Sequence, residues 1–210
     1  MSVDKNILQR FSFLDTDLLY EISEISSVQE IPANTEVLRE GQYIKVVPYV
    51  VEGLIKVFTR TEDKELLLYY IRPNESCIMS FAASRRNERS KVFAVTEEKT
   101  TVLLMPVDKI NQWSKQYPNI NNLFFHLYTQ RYGDLLNTIH HLLFKRMDTR
   151  LHEYLKEKIA LTNKNPIKMS HRQIANELGT AREVISRVLK KLEYENKVKQ
   201  DENGIELLQW

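Results

Sequence analysis

The chain has 210 residues, 42% hydrophobic and 28% charged, so its length allows one large or two modest domains of ordinary globular composition. Its one cysteine excludes a disulfide framework and a multi-cysteine metal cluster within the chain. Residues 146–199 carry 13 Lys and Arg against 7 Asp and Glu, whereas the remainder carries 17 against 21. A basic C-terminal segment is typical of a module that contacts phosphates. Without a signal peptide or an apolar run of about 20 residues, we expect a cytoplasmic protein that does not enter membranes.

The first half of the chain predicts a short helix followed by many short strands. Residues 15–27 have a helical pattern, and a second short helix, VDKINQWSKQY, begins after Pro106. Between Ile31 and about Leu104 lie five β-rich runs separated by turn residues: IPANTEVLREG, YVVEGLIKVFTR, ELLLYYI, KVFAVTEE and TTVLLMP. Strands at this spacing favour an antiparallel sandwich or a barrel-like roll.

Residues 119–145 predict one long helix of about 40 Å that carries few charges and therefore needs cover on two sides. One stripe can lie against the roll: Phe124, Tyr128, Leu135 and Leu142. The other needs a different partner: Leu123, Leu127, Gln130, Asp134 and Ile139. A second copy of the same helix about a two-fold axis is the economical partner, and Gly133 suits a close crossing. The alternative is a monomer that buries the whole helix in its own core.

The C-terminal part predicts a helix, a helix pair and a hairpin. An amphipathic helix, MDTRLHEYLKEKIA, leads through the loop LTNKNPIK to two helix starts ten residues apart. Ser170 and Gln173 form a capping-box pattern, and Thr180 and Glu183 repeat it. Gly179 between them is suited to end the first helix in the left-handed conformation. Beyond them, KVKQDENGIELL reads as two short strands, the wing of a winged helix-turn-helix.

The paired helices have an inner and an outer face. The inner positions are apolar: Ile174, Ala175, Leu178, Ile185, Val188, Leu189 and Leu192. The outer positions of the second helix are polar: Arg182, Glu183, Ser186, Arg187 and Lys190. Counted from His171, a small residue at the fifth place, glycine at the ninth and branched aliphatics at the fifteenth and eighteenth are typical of a helix-turn-helix. The pattern favours DNA binding over an ordinary helix hairpin with a solvated face.

At these motifs the sequence resembles the Crp/Fnr family of transcription regulators along essentially its whole length. IANELGTAREVISRVLKKLE is the most specific stretch, while IPANTEVLREGQ, YVVEGLIKVF and DTRLHEYL match more loosely. The resemblance implies an α+β homodimer: an antiparallel β-roll sensor of cyclic-nucleotide-binding type (1–118), a long dimerisation helix and hinge (119–146) and a winged helix-turn-helix (147–210). The dimer helix would use Leu123, Leu127, Gly133 and Ile139.

The resemblance also implies roles in binding double-stranded DNA with a palindromic operator. Base edges would be read by Arg182, Glu183, Arg187 and Ser186. Arginine can grip guanine with two hydrogen bonds and glutamate can accept from cytosine. Phosphates would be contacted by Ser170, His171, Arg172, Thr180 and Lys190.

The family's cyclic-nucleotide pocket is only half kept. The family has a Gly-Glu pair followed by Arg-Ser or Arg-Thr. Here Arg89 and Ser90 match the second pair, but Met79 and Ser80 occupy the first. Without the carboxylate for ribose and the glycine beside the phosphate, cyclic AMP is not the expected effector. An unknown effector would lie near Met79, Ser80, Arg89, Ser90, Asn137 and Thr138.

Other cofactors of the family are not expected either. An iron–sulfur cluster needs several thiolates, and Cys77 is alone. Haem could use Cys77, His126, His140 or His141, but histidines in a mostly apolar helix are more often packed than ligating. Cys77 could be a redox switch, although a buried structural thiol is the more ordinary state. We expect no metal and no cofactor.

The sequence therefore predicts a dimeric, sequence-specific transcription regulator that answers to an effector other than cyclic AMP or to none. As an activator it would also contact RNA polymerase. The alternative is a small-molecule-binding module whose helical C-terminal domain contacts protein instead of DNA. An enzyme is not expected, because the chain has no nucleophile elbow, Gly-rich phosphate loop or HExxH motif.

Overall fold

A computed structural model describes residues 3–61, 64–86, 88–144 and 146–208, without the side chains of residues 64, 83–86 and 140–144. The chain forms two compact units. The first comprises Met1–Thr59 and Leu68–Leu135, and the second comprises Arg60–Leu67 and Leu136–Trp210. The predicted division at 118 and 146 stays a prediction. The long helix is divided between the two units, and residues 60–67 group with the C-terminal part.

Two antiparallel sheets form the centre of the first unit. The strands are β1 (Ser27–Ile31), β2 (Glu36–Leu38), β3 (Val46–Glu52), β4 (Ile55–Thr61), β5 (Lys64–Ile71), β6 (Phe93–Thr96) and β7 (Thr100–Pro106). One sheet has the order β1-β7-β3 and the other β2-β6-β4-β5. The predicted antiparallel roll is confirmed, and β1 is a strand that the sequence pattern did not reveal.

Alternation along β3 and β7 divides the apolar side chains between two cores. Val50 and Val102 point between the sheets and pack with Ile55, Val57 and Ala94 of the opposite sheet. The neighbouring positions point the other way and pack against helices: Tyr49, Val51, Leu103 and Met105. Strands β3 and β7 of the first sheet are therefore covered on both faces, whereas β1 is mostly exposed.

The sharp turn between β3 and β4 requires glycine. Gly53 has φ +93, and a Cβ there would lie 2.5 Å from the Thr100 hydroxyl and 2.7 Å from its Cα. Backbone strain and lack of space thus both exclude a side chain at this position.

Five helices begin in the part of the first unit that the structure describes. They are α1 (Lys5–Gln9), α2 (Thr16–Ile25), α3 (Ile78–Arg86), α4 (Val107–Gln116) and α5 (Asn119–Phe144). Helices α2, α4 and α5 agree with the sequence pattern, whereas α1 and α3 were not predicted. Trp113 of α4 and Phe124 of α5 are buried in the helix-facing core, and Phe124 stacks on Phe81 of α3 with 3.6 Å between ring centroids.

The inward and outward faces of α5 are not the two that the sequence suggested. Phe124 is buried as expected, but Leu127 is buried as well and Leu123 packs against the same core. The exposed apolar row is Phe125, Tyr128, Tyr132, Leu135, Leu136 and Ile139. Tyr128 and Leu135, expected against the roll, are in this row, and Leu142 lies outside the described side chains.

A cluster of charged side chains explains which face of α5 points inward. Glu75, before α3, accepts a hydrogen bond from Gln130 Nε2 at 2.7 Å and pairs with Arg131. Arg131 also donates to Asp134 at 2.7 Å, and its guanidinium lies 4.6 Å from the Tyr69 ring centroid. The polar residues of α5 thus face the sheets together with Leu127, which leaves the aromatic row outside.

The second unit contains three helices and a hairpin. They are α6 (Met147–Thr162), α7 (His171–Glu177), α8 (Arg182–Tyr194), β8 (Val198–Asp201) and β9 (Gly204–Leu207). Their shared core contains Leu151, Leu155, Ile174, Ile185 and Leu189, each fully or nearly fully buried. The predicted helices and wing are confirmed. Among the described residues no helix has the length and apolar character that crossing a bilayer requires.

Candidate nucleic-acid interface

The first helix of the pair, α7, begins with the capping box that the sequence predicts. The Ser170 hydroxyl accepts from the Gln173 amide at 3.2 Å, and the Gln173 side chain accepts from the Ser170 amide at 2.8 Å. Two backbone donors of the first turn are therefore satisfied without help from the rest of the chain. The Ser170 hydroxyl, predicted to contact phosphate, is already engaged in this cap.

The turn between the helices depends on one left-handed residue. Gly179 has φ +63, and the Thr180 amide donates to the Ala175 carbonyl at 2.9 Å, which closes the end of α7. Helix α8 then begins at Arg182 with Ala181 as its N-cap and no side-chain cap. The second capping box, predicted at Thr180 and Glu183, is thus wrong, because the turn holds Thr180 one residue too early to cap.

Helix α8 packs against the rest of the domain through its apolar face. Ile185, Leu189 and Leu192 are almost completely inaccessible, and Val188 is buried beside them. Ala175 of α7 is also buried, so the small side chain lies where the two helices approach. A helix held on one side in this way presents its opposite side in a fixed orientation.

The outward face of α8 brings the predicted base-reading residues together. Arg182, Glu183, Arg187 and Lys190 are exposed and Ser186 is half-buried. These five side chains line one shallow concavity. The two guanidinium groups lie in the first two turns of the helix, whose N-terminal end adds a positive dipole. The patch therefore offers cations, one carboxylate and one hydroxyl on a rigid support.

The residues predicted to contact phosphates fall into two groups. Arg172 and Lys190 are exposed at the surface, where they can meet a phosphate. His171 and Thr180 are half-buried. The His171 ring lies 2.9 Å from the Ser186 hydroxyl through Nδ1 and 2.9 Å from Gln200 Oε1 through Nε2. His171 is therefore bonded within the domain.

Several polar contacts that fix the patch were not predicted. Asp148 of α6 pairs with Lys191 of α8, and Arg150 donates to the Leu178 carbonyl at 2.7 Å. The Lys191 contact contributes to lowering the pKa of Asp148. Gln200 of the wing donates to Glu193 of α8 at 3.1 Å through its side chain and at 3.0 Å through its amide. These partners lie 7 to 43 residues apart, so helical spacing gives no signal for them.

A buried charge pair lies behind the helix-turn-helix. Lys158 of α6 and Glu177 of α7 are 4% and 7% exposed, and their charged atoms are 3.6 Å apart. Tyr154 donates to the same carboxylate at 2.8 Å. Because the removal of either charge would leave the other buried without its partner, this pair ties α7 to α6.

The residues predicted to surround an effector are divided between the two units. Ser80 and Ser90 are buried, and the Ser90 hydroxyl donates to the Val92 carbonyl at 2.8 Å. Arg89 is exposed, with its guanidinium 5.1 Å from the Tyr43 ring centroid. Met79 packs against the core between the sheets. Asn137 and Thr138 belong to the second unit, so the predicted effector pocket stays a prediction.

The cluster at Arg131 contains a buried polar atom, Arg131 Nε, that has no hydrogen-bond partner among the described residues. Burial raises the pKa of Tyr69 well above its usual value, so this phenol stays protonated. Burial alone would lower the pKa of Arg131, but Glu75 and Asp134 more than offset it.

Cys77 is buried, and His126, a candidate haem ligand, is exposed on α5. The side chains of His140 and His141 lie outside the described residues.

The arrangement of α7, Gly179, α8 and the wing agrees with a comparison against protein families. Residues 143–210 match the model of the Crp-like helix-turn-helix domain. This segment is therefore similar to Crp-like helix-turn-helix domains. Helix α8, the second of the helix pair, carries the exposed Arg182 and Arg187. No protein of curated function matches the sequence significantly.

The whole chain has the fold of Crp/Fnr-type transcription regulators. A transcriptional regulator of that family from Eubacterium rectale is similar over 95% of this chain and 93% of its own, with a TM-score of 0.86 and 24% identity. The c-di-GMP-responsive global regulator CLP of Xanthomonas campestris has a TM-score of 0.79 and 20% identity, over 99% of this chain and 100% of its own. The regulator TTHA1359 of Thermus thermophilus has a TM-score of 0.74 and 18% identity, over 87% of this chain and 94% of its own. The chain therefore joins a Crp-like helix-turn-helix domain to the roll and long helix of this fold.

Proposed function

We propose that the protein is a dimeric regulator of transcription that reads a palindromic DNA operator through α8. The observation that carries the proposal is the concave patch of Arg182, Glu183, Ser186, Arg187 and Lys190 on a helix whose other face is fully buried. In helix-turn-helix proteins the corresponding end of the second helix lies in the major groove. Arg182 and Arg187 would bind guanine edges and Glu183 a cytosine amino group.

Phosphate contacts would come from around this patch. Arg172 at the first turn of α7 and Lys190 on α8 are exposed cations beside the reading residues. Such contacts hold the protein in register without selecting a sequence. The proposal assigns specificity to Arg182, Glu183 and Arg187, and general affinity to Arg172 and Lys190.

We place the dimer contact on the exposed row of α5. Phe125, Tyr128, Tyr132, Leu135 and Ile139 follow one another at alternating steps of three and four residues. This spacing forms a single seam along a helix, the pattern by which two parallel helices pack together. Gly133 has no heavy atom within 4 Å of where its Cβ would be, so another helix has room to approach beside the seam. Two recognition helices in such a dimer would lie about 34–36 Å apart.

The effector, where there is one, differs from cyclic AMP in this proposal. Met79 and Ser80 offer neither a ribose-binding carboxylate nor the open backbone of glycine, and the Ser90 hydroxyl is used by the Val92 carbonyl. The proposal includes no cofactor and no catalytic step. RNA polymerase would be a further partner if the protein activates transcription.

Selection of bound DNA from a random pool, with and without cell extract, tests the proposal. We expect a palindrome with half-sites about one helical turn apart and an affinity that falls steeply with salt. A requirement for extract would reveal an effector. No salt-dependent affinity for any duplex would refute the proposal and favour a small-molecule-binding module that contacts protein through its C-terminal domain.

The division of roles on α8 gives a sharper test with the selected site. Arg187→Ala should weaken cognate binding by about 1–3 kcal/mol and leave random DNA almost unaffected, because base contacts specify. Lys190→Ala is the matched control. It should weaken binding to the operator and to random DNA alike, and reduce by about one the slope of log affinity against log salt concentration. Equal losses for Arg187→Ala on both DNAs would place Arg187 among the phosphate contacts.

A further inference from the structure

The His171 ring occupies a three-way junction within the helix-turn-helix domain. It is the first residue of α7, its Nδ1 is 2.9 Å from Ser186 Oγ on α8, and its Nε2 is 2.9 Å from Gln200 Oε1 on the wing. Ser186 is the half-buried member of the DNA-facing patch. One side chain therefore connects the start of α7, the reading face of α8 and β8.

The partners of the ring determine which nitrogen carries a proton. Gln200 donates through Nε2 to Glu193 at 3.1 Å, so its oxygen faces His171 and can only accept. The Nε2 of His171 is therefore protonated. The Nδ1 can accept from the Ser186 hydroxyl when the ring is neutral, or donate to it when the ring is charged, with Ser186 then donating to the Arg182 carbonyl at 3.1 Å.

This bonding leaves no N–H on the ring for DNA. The neutral ring has one N–H, which Gln200 takes, and the charged ring has two, which Gln200 and Ser186 take. A phosphate could bind His171 only after one of these bonds breaks. The contact between His171 and phosphate expected from the sequence thus competes with the bonds inside the domain.

We propose that His171 is a positioning residue, not a phosphate contact: it fixes the orientation of the Ser186 hydroxyl and holds the wing against α8. The inference rests on the proposed DNA-binding function and adds the means by which the reading face is kept in register. The charged residues on the three elements that meet here are Arg172 and Glu177 on α7, Arg182, Glu183, Arg187, Lys190, Lys191 and Glu193 on α8, and Lys199 and Asp201 on β8. Glu193 reaches the ring through the Gln200 amide, and Lys199 pairs with Asp201 at 3.4 Å.

The first experiment compares His171→Ala with Arg172→Ala on the selected operator and on random DNA. His171→Ala should lower operator affinity about tenfold, as expected for two lost hydrogen bonds, with little change on random DNA and no change in salt slope. Arg172→Ala should lower both affinities and reduce the slope by about one. A reduced slope for His171→Ala, with equal loss on both DNAs, would overturn the inference.

The second variant, Gln200→Leu, keeps the imidazole and removes its wing partner, together with the side-chain bond from Gln200 to Glu193; the bond from the backbone amide of residue 200 to Glu193 remains. It should weaken operator binding in the wild-type background and have much less effect beside His171→Ala, because both changes break the same bond. Additive effects would contradict the inference. Thermal unfolding of each variant establishes that the folded domain is being compared.

A spectroscopic measurement on the protein without DNA tests this inference independently of the proposed function. Nitrogen-15 spectra of the imidazole at about pH 8, where an ordinary histidine is neutral, should show one tautomer with the proton on Nε2, and Gln200→Leu should change it. Mixed tautomers, or a ring insensitive to Gln200, would refute the junction. If the tautomer is as expected but no duplex binds, the junction stands and the DNA-binding proposal fails.

Discussion

At the scale of single residues, the turn between α7 and α8 depends on glycine for two reasons. Gly179 has φ +63, a conformation that costs an L-residue about 1–2 kcal/mol. A Cβ at this position would also lie 3.3 Å from the Leu66 Cδ1 atom, so Leu66 would have to yield slightly. The backbone effect is the larger one, because the contact is to the end of a flexible side chain.

Gly179→Ala should lower the free energy of unfolding by about 1–2 kcal/mol and also weaken operator binding, since the turn sets the angle between the two helices. Urea unfolding and operator titration measure the two effects. Gly41→Ala is the control, because Gly41 has φ +80 with no heavy atom within 4 Å of a Cβ. It should show a similar loss of stability without a specific loss of DNA binding. If Gly179→Ala and Gly41→Ala weakened DNA binding equally, the turn at Gly179 would have no special role in it.

Residue identities predicted which side chains share the outward face of α8, but they did not predict the contacts that support this face. Ser170 and Gln173 form their capping box because all its partners lie within four residues. Thr180 does not cap α8, since a local pattern cannot show that the turn would make Ala181 the N-cap. The His171 and Gln200 contact spans 29 residues and joins a helix to the wing, so no spacing rule could reveal it.

At the scale of elements, α6 and α8 are joined by the pair of Asp148 and Lys191. The hydrogen bond from Lys191 lowers the pKa of Asp148, despite the opposing effect of burial. A carboxyl with a lower pKa in the folded state stabilises the fold above its unfolded pKa, near 3.9, and loses this contribution as the pH falls through the folded value. The contact therefore contributes at neutral pH and is absent in strong acid.

Asp148→Asn should reduce stability at neutral pH by about 0.2–1 kcal/mol, the range of solvent-screened pairs. Its stability should also fall less steeply than that of the wild type as the pH drops below about 4. Urea unfolding at a series of pH values measures both. Lys191→Gln should have a similar effect at neutral pH, and the double variant should add little to either change. Full additivity would show that the two side chains act independently.

Elements were predicted where one periodicity dominates and were missed where the segment is short. Helices α4 to α8 and the wing follow clear patterns, whereas α1 has five residues and depends on the Asp4 cap, whose carboxylate accepts from the Asn6 amide at 2.8 Å. Helix α5 was predicted with the wrong inward face, because its apolar residues are spread around the helix and do not mark a single face. Its orientation is decided by Glu75, which lies 55 residues before Gln130 and draws that polar side inward.

At the scale of the whole molecule, the proposed function requires two copies of a surface that is small in one chain. In that proposal a single patch of five side chains would read a few base pairs, and a two-fold axis would double both its contacts and its specificity. The exposed row on α5 offers the apolar surface for this axis. The basic excess in residues 146–199 would supply the attraction to phosphates in each copy.

Tyr132→Glu tests this assembly, because Tyr132 is 64% exposed in the middle of the row. About a two-fold axis the substitution would put two carboxylates close together in an apolar seam, so dimer affinity should fall about a hundredfold or more. Sedimentation measures the association. Operator binding should fall with it, while affinity for an isolated half-site stays near that of one wild-type subunit. Tyr20→Glu is the control, with a tyrosine 69% exposed on α2, and should change neither association nor DNA binding. A Tyr132→Glu protein that remains dimeric would place the two-fold contact on another surface, and operator spacing would then no longer follow from α5.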